Sequence, residues 1–195
     1  QVIPTAWIEA AQARWTPRPP EGYAMTAMAV DVAPGGGDKR VIACRYGGWY
    51  APLDWKKEVD PDGRVTAGAI VRLRRDNCPG VVDMGGGWGG DAAMALNDNG
   101  IIVVTYMGLN PSSAKTRDGR LGVFNKRAAT IWKFREALDP NQEGGAVVAL
   151  DPSDSELKAD LASFIWEPVR MSGAQGIKIE PKDDIKKRLG RSPDR

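Results

Sequence analysis

The sequence predicts an α/β protein, and three observations carry that expectation. Between residues 81 and 150, short apolar runs alternate with helix-spaced runs in the order βαβαβ, the pattern of parallel strands joined by crossover helices. Ahead of this region, three strand-like runs follow one another with no helix between them, which calls for antiparallel pairing through tight turns. Two of the strand-like runs end in an aspartate, Ala29-Val30-Asp31 and Val81-Val82-Asp83. A carboxylate in such apolar surroundings costs free energy unless it is paired or binds a cation.

Taken in order, Trp7, Ile8, Ala11 and Trp15 recur at helical spacing, and Thr16-Pro17-Arg18-Pro19-Pro20 stops that helix. Residues 1–20 therefore read as a leading helix and linker, and residues 21–195 as one domain. Met28, Val30 and Val32 alternate with smaller or polar residues, as a strand requires. The runs 41–46 and 49–55 form a hairpin through Gly47-Gly48. Residues 64–75 are helical, 81–83 a buried strand, 91–97 a helix and 101–106 a strand. Phe124, Ala128, Ile131 and Leu138 mark one face of a further helix, followed by a strand over 146–150. Ser153 and Glu156 suggest a capping box. The run Ile177-Lys178-Ile179 alternates as a strand, and a helix over 181–189 is closed by Gly190. Residues 109–122, with Asn110-Pro111-Ser112-Ser113 and Asp118-Gly119, are the expected mobile loop.

Composition narrows the chemistry. The chain has 195 residues and no histidine, which removes Ser-His-Asp and Cys-His catalysis, imidazole bases and His-containing zinc sites. The 27 Lys plus Arg nearly balance 25 Asp plus Glu, so any polyanion contact must come from local clustering. Cys44 and Cys78 are too few for a disulfide scaffold and read as reduced, partly buried thiols. The longest apolar run, around Ile101 to Val104, falls far short of the ~20 residues that cross a bilayer, so no membrane role is expected. Neither Gly35-Gly36-Gly37-Asp38-Lys39-Arg40 nor Gly85-Gly86-Gly87-Trp88-Gly89-Gly90 continues as a phosphate-binding loop of the Gly-Lys-Ser/Thr type, so no ATPase motif is present.

Asp31 and Asp83 would meet at the carboxyl edge of a sheet if their strands were parallel neighbours, the edge where open α/β folds bind ligands. Their repulsion is relieved by a cation, and hard oxygen donors favour Mg²⁺ or Mn²⁺ over zinc. Each aspartate could equally cap a following turn. Basic residues cluster as Arg72, Arg74 and Arg75, as Lys115, Arg117 and Arg120 on the long loop, and as Lys126, Arg127, Lys133 and Arg135 along the next helix. Such patches suit a phosphate backbone, although cations also accumulate at solvated helix ends. Trp132 either stacks on a base or belongs to the core.

The segments Ala29-Val30-Asp31-Val32-Ala33-Pro34-Gly35-Gly36-Gly37-Asp38-Lys39, Val81-Val82-Asp83-Met84-Gly85-Gly86 and Asn125-Lys126-Arg127-Ala128 together resemble the nuclease domain of tailed-phage large terminase subunits. So does the closing stretch Ile179-Glu180-Pro181-Lys182-Asp183-Asp184-Ile185-Lys186-Lys187-Arg188-Leu189-Gly190-Arg191-Ser192-Pro193-Asp194. The likeness runs from about Tyr23 to the end, and the first twenty residues resemble the segment leading out of the terminase ATPase domain. It implies an RNase H-like fold, a central mixed sheet of five to eight strands, three antiparallel and then parallel, flanked by helices. It also implies an endodeoxyribonuclease that cuts concatemeric viral DNA with two Mg²⁺ or Mn²⁺ ions.

By the same resemblance, Asp31, Asp83 and Asp194 are the catalytic and metal-binding acids, and Asp38 either approaches a second metal or caps its turn. Lys115, Arg117, Arg120, Lys126 and Arg127 are the candidate DNA contacts. In similar terminases the principal third carboxylate lies about one turn beyond the Ser-Pro-Asp stretch, past Arg195. The closing helix is therefore expected to be truncated here, with weak metal binding and slow cutting. The implied partners are double-stranded DNA, the ATPase domain of the same polypeptide, the small terminase subunit and the portal of the procapsid. The implied location is the cytoplasm of an infected bacterial host. Two alternatives stand beside this reading: another RNase H-like nuclease of resolvase or transposase type, and a DNA-clamping module with an incomplete nuclease centre.

Overall fold

The computed structural model describes residues 1–33, 39–171 and 173–193. Along the chain the helices are α1 (Thr5–Ala13), α2 (Arg64–Leu73), α3 (Gly89–Asp98), α4 (Lys126–Leu138), α5 (Ser155–Ser163) and α6 (Lys182–Leu189). The strands are β1 (Ala27–Asp31), β2 (Arg40–Tyr46), β3 (Trp49–Tyr50), β4 (Asp54–Lys56), β5 (Gly80–Asp83), β6 (Val103–Tyr106), β7 (Gly122–Val123), β8 (Trp166–Met171) and β9 (Ala174–Ile179). They form two compact units, one of Thr16–Met107 and one of Gln1–Trp15 with Gly108–Arg195.

The first unit holds a mixed six-stranded sheet of order β3-β2-β1-β5-β6, with β4 also paired to β2. β1 is antiparallel to β2, which is antiparallel to β3 and β4, whereas β1, β5 and β6 are mutually parallel neighbours. This is the mixed α/β order expected from the sequence. Alternation sends Met28, Val30, Ile42, Cys44 and Val82 to one face of the sheet. There they pack with Ala67 and Ile70 of α2 and with Ala92, Ala93 and Leu96 of α3 in a single apolar core. The expected second arm of the hairpin is split into β3 and β4. The start of α2 is capped from a distance: the buried Asp60 carboxylate accepts the Val65 and Thr66 N–H groups at 3.1 and 2.8 Å, satisfying donors that a helix N-terminus otherwise leaves open.

The second unit contains a three-stranded sheet of order β7-β9-β8, with β7 parallel and β8 antiparallel to β9. α1 belongs to this unit and buries Ile8 and Ala11. The Arg135 guanidinium of α4 lies 4.9 Å from the Trp7 ring centroid and 4.8 Å from that of Trp132, a cation–π contact on each. Residues 146–150 are not a strand of either sheet. Instead Val148, Ala149 and Leu150 are buried, the Leu150 N–H donates to the Ala11 carbonyl at 3.2 Å, and Arg14 donates to the Val148 carbonyl at 3.1 and 2.9 Å. The apolar run is therefore consumed by packing near α1. The cap of α5 is Asp154, which accepts the Leu157 N–H at 2.8 Å, while the Ser153 hydroxyl donates to Asp151 at 2.7 Å. α6 ends at Gly190 as expected, with its φ of 70° in the left-handed region.

Candidate active site

The parallel register of β1 and β5 aligns Ala29 with Val81 and Val30 with Val82. The next residue on each strand is an aspartate, so Asp31 and Asp83 end adjacent strands whose backbones lie about 4.8 Å apart. Because side chains alternate, both acids belong to the face opposite Val30 and Val82, away from the apolar core. Asp31 is exposed and also stands opposite Val41 of β2. Asp83 is half-buried and stands opposite Tyr106 of β6.

Asp83 does cap its turn: Oδ1 accepts the Gly85 N–H at 2.8 Å, the local bond expected of an aspartate at a strand end. The capping and ligand readings are therefore compatible, since a carboxylate carries about four acceptor sites. The turn closes tightly on this residue. A Cβ at Gly89 would lie 2.3 Å from the Asp83 carbonyl oxygen and 3.0 Å from Met84 Sδ, so only glycine lets α3 start this close to β5. The Met84 N–H donates to the Tyr106 carbonyl at 2.8 Å, carrying the strand alignment just past the acid.

The donor set suits a hard divalent ion, with carboxylates on neighbouring strands, one of them oriented by a backbone N–H, and no imidazole in the chain. Asp194 and Asp38 lie outside the described residues. Among the described residues no group of three His, Cys, Asp or Glu is arranged to hold a metal ion.

The basic candidates belong to the other unit. The segment expected as a mobile loop folds back on itself as a hairpin, with bridges between Lys115 and Gly122 and between Pro111 and Asn125. Its tip is held by Thr116 N–H to Leu121 O at 2.9 Å and Gly119 N–H to Thr116 O at 2.8 Å. Lys115 and Arg120 are exposed, and the Arg120 guanidinium lies 3.8 Å from the Asp118 carboxylate. The Asp118 carboxyl is held below the ordinary value of 3.8, first by the Thr116 hydroxyl donating to it and then by the Arg120 N–H. The Arg117 backbone N–H donates to Glu136 Oε1 at 2.8 Å, and its guanidinium donates to the Glu143 carbonyl.

Lys126, exposed, opens α4 next to the Asn125 cap, whose side chain accepts the Ala128 N–H at 2.8 Å. Arg127 is drawn into structure: it donates to the Glu180 carbonyl at 2.8 Å and its guanidinium lies 5.7 Å from the Phe164 ring centroid. Trp132 is buried, with its indole N–H on Glu136, which settles it as core. Glu136 drew no attention in the sequence. The one available signal was an acid four residues after Trp132 on the buried side of α4.

No protein-family model matches the chain, and neither does any curated protein. Solved structures do. The nuclease domain of the large terminase subunit of bacterial virus Sf6 superposes with a TM-score of 0.73 at 17% identity, covering 99% of this chain and 94% of that one. A mutant of that domain with manganese and beta-thujaplicinol gives 0.70 at 17% identity, over the same shares of both chains. The large terminase nuclease from thermophilic phage G20c gives 0.50 at 18% identity, covering 83% of this chain and 77% of that one.

Proposed function

We propose that this chain, which has the fold of the nuclease domains of phage large terminase subunits, is itself the nuclease domain of such a subunit, a metal-dependent endonuclease acting on concatemeric double-stranded DNA during genome packaging. The observation that carries the reading is the register that brings Asp31 and Asp83 to adjacent strand ends. In this reading Asp31, Asp83 and Asp194 hold two Mg²⁺ or Mn²⁺ ions. When bound, such ions lower the pKa of an attacking water and offset charge on the phosphodiester, so no histidine base is needed. A nuclease domain of this fold has been solved with manganese.

The chain's own residues orient and bind. The Gly85 N–H orients the Asp83 carboxylate through Oδ1, leaving Oδ2 without a hydrogen bond among the described residues. Lys115, Arg117, Arg120 and Lys126 neutralise phosphates, while Arg127 chiefly braces its own unit. Contacts of this kind carry no base code, so sequence preference is weak. The partners are the ATPase domain, the small terminase subunit and the portal, and the setting is the infected bacterial cytoplasm. No helix among the described residues is long and apolar enough to cross a membrane.

The test is nicking of supercoiled plasmid. Cleavage in Mn²⁺ that EDTA abolishes, and that Asp83→Asn also removes, supports the enzyme. Salt-sensitive binding with no cleavage under any divalent ion overturns it in favour of a DNA clamp.

A further inference from the structure

Glu136 is 7% exposed, yet its Oε1 accepts two hydrogen bonds, from the Arg117 backbone N–H at 2.8 Å and the Trp132 indole N–H at 3.1 Å. Both donors are neutral and Glu136 has no ion pair among the described residues, and burying a carboxylate for packing alone is unfavourable. The Trp132 ring is itself fixed, edge-on to Trp166 with centroids 5.7 Å apart. The oxygen therefore has a rigid seat on α4, and its second bond reaches the hairpin between Lys115 and Gly122. That hairpin's internal bonds shape its tip, whereas the Glu136 bond ties the tip to α4, which begins with Lys126.

We infer that Glu136 is a positioning residue for DNA engagement: it sets the spacing of Lys115, Arg117 and Arg120 relative to Lys126, so that the cations meet successive phosphates together. The inference rests on the proposed reading of these cations as phosphate contacts. A hairpin free to move would offer the same charges at a higher ordering cost, weakening DNA binding without touching the acids at the ends of β1 and β5.

The test uses the full chain, with duplex binding measured in EDTA across a salt series and nicking kinetics measured in Mn²⁺. Glu136→Leu keeps the volume and removes the acceptor. It is expected to bind duplex about tenfold more weakly, with a salt slope smaller by about one phosphate contact. The KM for plasmid should rise in proportion while kcat stays within about twofold. Glu136→Gln keeps an oxygen that accepts the same two N–H groups and should restore binding.

The double variant Lys115→Ala with Arg120→Ala separates the two ideas. If it binds like the parent, the reading of the hairpin as a phosphate contact fails. If it loses affinity while Glu136→Leu binds like the parent, or loses only thermal stability, the inference about Glu136 is overturned. Should Glu136→Leu not fold, hydrogen exchange on the parent decides: an Arg117 amide protected like those of α4 supports the tie, and one exchanging like an open loop overturns it.

Discussion

Val30 and Val82 face each other across parallel β1 and β5, one residue before Asp31 and Asp83. The two valines are buried in the apolar core, so a slip of one residue would move valines outward and aspartates inward, at a large cost on both counts. Hydrophobic burial thus fixes where the acids stand. Asp31→Asn and Asp83→Asn should each cut Mn²⁺-dependent nicking by at least about 10²-fold, the loss expected when several kcal/mol of transition-state stabilisation goes. The Asp83→Asn amide oxygen can still accept the Gly85 N–H, so its Tm should hold. Undiminished nicking in either variant would remove that acid from the site.

Gly89→Ala sets two effects against each other. Replacing glycine by alanine restricts the unfolded chain and by itself stabilises by about 0.4–1 kcal/mol, but here the new Cβ would lie 2.3 Å from the Asp83 carbonyl oxygen. Overpacking against backbone costs about 1–3 kcal/mol and should win. Urea denaturation is expected to show a less stable protein, and nicking should slow because Asp83 shifts. A stabilised variant would show that the turn has room to relax.

At the hairpin tip, the Asp118 carboxyl lies below its ordinary value because Thr116 and the Arg120 N–H donate to its charged form. The folded value being the lower one, the stabilisation is complete above the unfolded value and fades as pH falls through the folded one. An NMR titration of the Asp118 carboxyl should give a midpoint below 3.8, and Thr116→Val should raise it. A midpoint at or above the ordinary value would contradict the Thr116 bond.

Burial, with a further contribution from Cys78, pushes the Cys44 thiol up to about 11. The thiolate is the reactive form, so iodoacetamide at mildly alkaline pH should leave Cys44 unmodified in the native protein and label it fully in guanidinium. Mass spectrometry reads the difference, and native labelling of Cys44 would mean that the core opens locally at β2.

The Arg135 guanidinium touches both Trp7 and Trp132. Arg135→Met retains most of the stem and removes the cation, at an expected cost of about 1–2 kcal/mol in urea denaturation. An unchanged midpoint would show that α1 is held without the cation, by the burial of Ile8 and Ala11 and by the backbone ties at Ala11 and Arg14.

Much of the first unit was legible in the sequence because its signals are local. Alternation marks β1 and β2, while the apolar pairs before Asp31 and Asp83 mark strand ends, and these patterns survive folding because one sheet face is buried. The second unit was less legible. Residues 146–150 have strand composition but bury themselves near α1, and β8, with Pro168 and a mostly exposed pattern, carries no alternation to read. Residues 115–122 read as a loop because their turn-rich composition carries no alternation, and the tie from Arg117 to Glu136 joins residues distant in sequence.

By itself the sequence determined the mixed α/β order, the exclusion of imidazole chemistry and the two acids on which a site could be built, all properties of composition and short-range period. The tertiary structure alone decided that Asp31 and Asp83 stand on neighbouring strands, that Arg127 and Trp132 are held inside their unit, and that Glu136 ties the hairpin to α4. Each of these depends on which residues distant in sequence become neighbours, and that is set by register and packing rather than by any local pattern.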